Sequence, residues 1–291
     1  MTRHVGDRAT SLVGLGGASW SIHDEVDEPG AIATIHAALS AGITLIDTAR
    51  AYTTVDHPAH NEAVIARALA SCGAPVDDVF IVTKGGHFRA DHDTWAEDGR
   101  PEALRADVER SLLALGRESH DLYLLHKPDA SVAIDESVGA LAELQRESKI
   151  VRLGVSNVSD EQLTQALRIA PISAVENSFS PFRQDDRPLL ERCTSLGIAY
   201  LAYSPLRSGR GFATDRTIFA DSLALADEAG VSAYQLWLGW LLHQAPGLIP
   251  IVGANSPRTI TDSAGAACIE FDPEWWASVD RELAAASLLV S

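Results

Sequence analysis

Cysteine, basic charge and long apolar runs are all scarce in this chain, and each shortage removes a class of protein. The three cysteines, Cys72, Cys193 and Cys268, are odd in number, far apart and in no Cys-x-x-Cys or Cys/His ligand spacing. A disulfide scaffold is excluded, and a reducing compartment fits. Lys and Arg total 23 against 40 Asp and Glu, a net charge of −17, and no Lys/Arg-rich run interrupts the excess. Such a field repels nucleic acid and anionic lipid, so neither is expected as a partner. The most hydrophobic segment, Tyr234–Leu242, is too short to cross a bilayer and runs into His243, Gln244 and Pro246. Residues 1–10 carry charge and lack the apolar centre of a signal peptide, which makes the cytoplasm the expected location.

Gly/Ser linkers, low-complexity tracts and blocks of one charge are missing as well, so nothing divides the 291 residues. One domain over 1–291 is expected, long enough to bury roughly 75% of the unfolded chain's surface. What recurs is a short apolar run followed by an amphipathic stretch. The runs are Leu12–Gly16, Ile43–Ile46, Val79–Thr83, Asp121–Leu125, Val151–Val155, Ile172–Val175, Ile198–Tyr203 and Leu248–Val252. They read as eight strands.

Helix patterns lie between them. In Pro101–Leu115 a proline opens the helix, Leu104, Val108, Leu112 and Leu115 form one stripe, and Gly116 follows the end. Ser159-Asp160-Glu161-Gln162 is a capping box for the next. Further helices fit Pro29–Ser40, Ala59–Ser71, Glu136–Glu147, Arg187–Ser195, Ser232–Gln244, Ser256–Ala266 and Pro273–Ala286. Strand and helix in alternation mean parallel pairing with right-handed crossovers, and eight such units close into a (β/α)8 TIM barrel. The rival, a doubly wound sheet, lacks its fingerprint: Gly14-Leu15-Gly16-Gly17-Ala18-Ser19 has no sixth-position glycine and no helix pattern after it. That cluster reads as a turn with a close backbone approach.

In such a barrel the chemistry sits where the strands end. Asp47 ends the second run with Tyr52 five residues on, Lys84 ends the third, His126 the fourth, Ser156-Asn157 the fifth, Glu176-Asn177 the sixth, Tyr203-Ser204 the seventh and Gly253 the eighth. A phenol is too weak an acid near neutrality unless a neighbouring cation favours its ionised form. Lys84 would be that cation, Asp47 would hold it, and His126 would donate to a carbonyl oxygen as charge develops there. The set suits proton delivery to an alkoxide.

The segments Ile43-Thr-Leu-Ile-Asp-Thr-Ala-Arg-Ala-Tyr52, Val82-Thr-Lys84, Asp121-Leu-Tyr-Leu-Leu-His126, Gly154-Val-Ser-Asn157 and Ala202-Tyr-Ser-Pro-Leu206 resemble the aldo-keto reductase family, over nearly the whole chain. The resemblance implies reduction of an aldehyde or ketone by NADPH, with NADH as the other option, and no metal. Hydride would pass to a small-molecule carbonyl while Tyr52 gives the proton, and the family's tetrad falls on Asp47, Tyr52, Lys84 and His126. Cofactor contacts would come from Gly17 in the glycine cluster and from Ser156, Asn157 and Glu176 at the carboxamide. Tyr203 would stack on the nicotinamide, Ser204, Pro205 and Leu206 would follow the pyrophosphate, and Gly253, Asn255, Arg258 and Asp262 would face the adenosine. Three positions depart from the family pattern: Glu176 for glutamine, Thr259 for arginine and Ser263 for asparagine. Ser256-Pro257-Arg258 reads as a helix start with its own anion site, so Arg258 is expected to meet a phosphate.

The segment 85–100 is expected to be a substrate loop with His87, Phe88 and Trp95 at the pocket; the bland alternative is a surface loop with Trp95 on the barrel wall. Trp20 is expected at the mouth opposite Tyr52, with a core position as its rival. Trp275 and Trp276, at the start of the last helix, are weaker pocket candidates. His57, His60, His87, Asp91, His92 and Asp93 carry ligand-type groups but no third ligand at a fixed offset, so no metal is expected. Two other functions share these residues: a cofactor-binding regulatory subunit of the same fold, and a Schiff-base aldolase using Lys84. Nothing in the sequence specifies an oligomeric state.

Overall fold

A computed structural model describes residues 2–22, 26–53, 57–73, 76, 78–91, 94–206, 212–269 and 273–290. Twelve strands occur there: β1 Arg3–Val5, β2 Arg8–Thr10, β3 Gly14–Gly16, β4 Leu45–Asp47, β5 Phe80–Gly85, β6 His87–Arg89, β7 Trp95–Glu97, β8 His120–Leu125, β9 Ile150–Ser156, β10 Ala174–Ser178, β11 Ala199–Tyr203 and β12 Leu248–Gly253. Eight of them, β3, β4, β5, β8, β9, β10, β11 and β12, close into a barrel in that cyclic order, every pair parallel. The expected (β/α)8 barrel is the fold. The helices are α1 Glu28–Ser40, α2 His60–Ser71, α3 Pro101–Leu115, α4 Ile134–Arg146, α5 Asp160–Ile169, α6 Arg187–Leu196, α7 Ala220–Ala229, α8 Ala233–Gln244, α9 Pro257–Gly265 and α10 Pro273–Val290.

Local chemistry explains most boundaries. The α3 helix starts on Pro101 and stops at Gly116, whose φ of 64° is the left-handed conformation a glycine adopts without strain. Ser159 and Gln162 form the capping box of α5, and Ser232 and Gln235 form another that opens α8. Four expectations need correction. β1 and β2 form a hairpin before the first barrel strand, turned at Gly6 with φ 60°. The sixth barrel strand begins at Ala174, so Glu176 and Asn177 lie inside β10. α7, with Leu223 and Ala226 buried and Gly230 as its stop, was not expected at all; the single turn of apolar spacing is short enough to pass for loop. Tyr234 of α8 is 44% exposed, whereas Leu236, Trp237, Leu238, Trp240 and Leu241 are buried as the apolar character of that helix implies.

The barrel interior holds Val5, Leu45, Phe80, Val82, Leu122, Leu124, Ala174, Ala199, Leu201, Ile249 and Ile251. Side chains alternate along a strand, so the inward row on each strand advances two residues at a time. One step beyond Leu45 is Asp47, beyond Val82 is Lys84, beyond Leu124 is His126, beyond Ala174 is Glu176, beyond Leu201 is Tyr203 and beyond Ile251 is Gly253. The interior therefore ends in a tier of polar groups at the C-terminal mouth. Val5 closes the opposite end, where Arg3 donates to the carbonyls of Leu242 and Pro246. Trp276 also belongs to that base, stacked on His243 with ring centroids 5.4 Å apart, so the last helix does not line the mouth with it. Among the described residues no helix is long and apolar enough to cross a membrane.

Gly154 of β9 leaves no room for a side chain: a Cβ would stand 2.3 Å from Leu124 Cδ2 and 2.6 Å from the Ala174 carbonyl oxygen. Gly154→Ala is expected to destabilise the fold by about 1–3 kcal/mol through overpacking. Equilibrium urea unfolding measures it; an unchanged midpoint contradicts this account of the interior.

Candidate active site

Lys84 is the centre of the mouth. Its side chain is fully buried, and its Nζ lies 2.5 Å from Asp47 Oδ1 and 3.1 Å from Glu176 Oε1. The same ammonium donates to the Thr48 carbonyl at 3.0 Å and reaches the Tyr52 hydroxyl at 3.5 Å. The His126 and Tyr52 rings stand nearly perpendicular, with centroids 5.8 Å apart. Asp47, Tyr52, Lys84 and His126 thus meet at one point, from three strand ends and the loop after β4.

Burial alone would lower the Lys84 pKa, but the charges of Asp47 and Glu176 overcome it, and the group is held as an ammonium. Burial raises Asp47 against the pull of Lys84. Burial and the Asp47 charge raise Glu176 to about 8, with Lys84 opposing. The Tyr52 phenol ends above its usual value: burial raises it, Lys84 lowers it, and Asp47 and Glu176 counteract Lys84. This corrects the expectation of a net shift towards ionisation: Lys84 does pull the phenol that way, but burial outweighs it and the neighbouring carboxyls offset part of the pull. Burial, then Lys84, His87 and Lys127, keep His126 well below its ordinary value, hence neutral.

Asn157, at φ 55° just past β9, donates from Nδ2 to the His126 carbonyl at 3.0 Å and accepts from the Tyr203 hydroxyl at 2.7 Å. The Tyr203 ring is pinned beside the mouth. Ser156 donates to the Glu176 carbonyl at 2.7 Å, so its hydroxyl braces neighbouring strands. Ser204 has φ 51°, Pro205 is buried and Leu206 packs partly on the core. Gly253 ends β12 against open space, and Arg258 is exposed in the first turn of α9, whose N-cap Ser256 accepts from the Thr259 amide. Asn255 is exposed and accepts from Ser19 at 2.5 Å.

Three expected site residues make intrachain contacts. Trp20 is 5% exposed, its indole donating to the Ala254 carbonyl at 2.8 Å, so the core reading holds. Gly17 does make a close approach, but to the chain itself: a Cβ would lie 2.6 Å from Asn61 Oδ1 and 2.9 Å from the Trp20 ring. Asp262 accepts from Ser232 at the start of α8 at 2.8 Å, so one of its oxygens braces two helices.

The expected substrate loop contains a hairpin, β6 with β7. His87 stacks on Trp95 at 5.4 Å and meets His126 edge-on at 4.9 Å, while Phe88 lies under the Arg50 guanidinium at 5.2 Å. His92 and Asp93 lie outside the described residues. Among the described residues no three His, Cys, Asp or Glu side chains are grouped to hold a metal ion. Sequence reasoning missed Asp107, which pairs with Arg50 at 2.6 Å and accepts from the Gly86 amide at 3.0 Å. It ties the Tyr52 loop to the hairpin. The signal was a carboxylate set in the apolar stripe of α3, between Leu104 and Val108.

The sequence profile of the aldo/keto reductase family matches residues 12–283. The chain belongs to the aldo-keto reductase family. It is 30% identical over 285 residues to an uncharacterized oxidoreductase of Schizosaccharomyces pombe, covering 97% of this chain and 89% of the relative. The glycerol dehydrogenase of Gluconobacter oxydans superposes with a TM-score of 0.84 at 28% identity, over 98% of this chain and 95% of that one. An aldo/keto reductase from Klebsiella pneumoniae, solved in complex with NADP and acetate, superposes with a TM-score of 0.78 at 26% identity, over 94% and 91% of the two chains. As an aldo-keto reductase the protein is an oxidoreductase.

Its lysine carries two buried carboxylates, so Lys84→Met is expected to cost about 3–5 kcal/mol of stability, the range for stranding a buried charge. The loss should be larger at pH 8 than at pH 6, because without the cation each carboxyl is held neutral in the fold, and a raised carboxyl pKa gives up stability as pH rises above the unfolded value. Urea unfolding at the two pH values checks both the size and the sign.

Proposed function

We propose that this aldo-keto reductase interconverts a small aldehyde or ketone and its alcohol, using a nicotinamide dinucleotide, with Tyr52 as the proton donor in the direction of reduction. The observation that carries the reading is the Tyr52 hydroxyl, 3.5 Å from a fully buried ammonium and beside the neutral His126.

The residues at the mouth fit such a cofactor. His126 Nδ1 and Glu176 Oε2 are buried without hydrogen-bond partners, so polar capacity is left over at the mouth. The Tyr203 ring offers a fixed flat face, and the open end of β12 leads to the positive end of α9, with the exposed Arg258 in its first turn. When bound, the nicotinamide supplies or accepts a hydride. Tyr52 then delivers the proton to the carbonyl oxygen, from a phenol kept protonated through neutral pH. His126 donates to the same oxygen as a neutral imidazole and so stabilises the charge developing there. Asp47 and Thr48 hold Lys84, and Lys84 favours the transient phenolate left on Tyr52. The solved Klebsiella relative with NADP supports the choice of cofactor.

Lys84 held as an ammonium by two carboxylates disfavours the Schiff-base reading, since an amine nucleophile must be neutral. The complete tetrad favours catalysis over a purely regulatory role.

Tyr52→Phe is expected to reduce turnover with an aldehyde panel by about 10²–10⁴-fold while leaving cofactor affinity nearly unchanged. Loss of affinity in step with turnover counts against the assignment. Arg258→Ala is expected to weaken NADPH binding by about 1.5–3 kcal/mol, as for a charge-assisted hydrogen bond, and to leave NADH binding as it was. Titration of both cofactors by fluorescence separates the two, and equal losses argue against a phosphate contact.

A further inference from the structure

One ammonium between two carboxylates leaves the site a negative charge in excess unless a proton compensates it. The side chains of Lys84, Asp47 and Glu176 are 0%, 3% and 2% exposed, so water does little to screen that charge. The groups that face Glu176 are Asp47 from β4, Tyr52 from the loop after it, and Lys84 from β5. Its register partners are Ser156 on β9, whose hydroxyl is spent on the Glu176 carbonyl, and the apolar Leu201 on β11. No second cation is among them. Glu176 Oε2 accepts no hydrogen bond, and the Glu176 carboxyl lies within hydrogen-bond reach of the Asp47 carboxylate, so the compensating proton fits on Glu176, shared towards Asp47.

The proposed reaction changes the charge of the nicotinamide by one, from a cation to a neutral ring. We propose that Glu176 is the residue that discriminates between the two redox states of the cofactor, giving up a proton to solvent when the oxidised form binds and keeping it when the reduced form binds. This rests on the nicotinamide reading of the site. The balance is simple: the protonated site plus the oxidised cofactor gives the ionised site in complex with it and one proton in solution, with no electron moved. Glu176 takes a proton back once the ring has become neutral. Burial and Asp47 raise the Glu176 carboxyl to about 8, so the free site holds the proton at pH 7 and has lost most of it at pH 9.

The test adds NADP+ or NADPH to the full chain in weakly buffered solution with a pH indicator, at pH 7 and pH 9, and measures both dissociation constants by fluorescence. At pH 7 NADP+ is expected to release about one more proton per site than NADPH, and at pH 9 the difference should fall towards zero. Below pH 8 the ratio of the NADP+ to the NADPH dissociation constant should drop with rising pH, by up to about tenfold per unit. Glu176→Gln should abolish the extra release and flatten the ratio, whereas Tyr52→Phe should retain both. Equal proton counts for the two cofactors in the wild type overturn the proposal, and so does a release that survives Glu176→Gln or disappears in Tyr52→Phe. Where Glu176→Gln fails to fold, the wild-type comparison decides alone. Absence of binding by either cofactor refutes the nicotinamide reading itself, which separates the two failures.

Discussion

Lys84 carries a full positive charge at the end of a core strand, and the rest of the mouth is organised around the cost of keeping it there. An ammonium of this size taken from water into the interior loses several kcal/mol of hydration, returned only by close opposite charge and full hydrogen bonding. Asp47, Glu176 and the Thr48 carbonyl supply both. Their presence shapes the neighbours in turn. Tyr52 keeps its proton because it is buried and the carboxyls offset part of the pull of Lys84, and His126 stays neutral because it is buried next to a cation. The proposed acid and hydrogen-bond donor thus take their protonation states from their surroundings in one buried cluster.

The barrel delivers that cluster through its pleat. The interior rows of Val, Leu, Ile, Phe and Ala advance by two and most end in a polar residue, so the tier to which we assign the chemistry is the last layer of the core. Rigid packing beneath it holds the side chains without needing a long loop to do so. Tyr52 is the exception, since it comes from a loop. The Arg50–Asp107 pair and the Asp107 contact with the Gly86 amide fasten that loop to α3 and to the β6–β7 hairpin. A single carboxylate of a surface helix therefore links the Tyr52 loop to the segment carrying His87 and Trp95.

The opposite end serves the fold. Val5 plugs the barrel, Arg3 holds the N-terminal hairpin to the end of α8, and Trp276 and Trp240 bind the last helix there, the latter through Asp280 at 2.7 Å. Stability at the base and chemistry at the mouth are thereby separated along the strand axis.

Eight apolar runs in alternation with amphipathic stretches were enough to read the barrel, because parallel strands buried on both faces leave a continuous apolar signal and helices leave a periodic one. Proline, glycine and capping residues marked α3 and α5 for the same local reasons. The tetrad was legible too, since a polar residue ending an apolar run stands out from its neighbours. Weaker local signals failed. The N-terminal hairpin strands are three residues each, and α7 offers one turn of apolar spacing before Gly230. The destinations of Trp20, Asp262 and Trp276 depended on which distant groups could take an indole N–H, a carboxylate or a ring face. Glu176 shows the division most plainly. Its identity and its place near a strand end were fixed along the chain, but its contact with Lys84, and the charge excess that follows, arise only when β4, β5 and β10 converge, because Coulomb energy depends on separation in space and on the exclusion of water, and neither is written in sequence order.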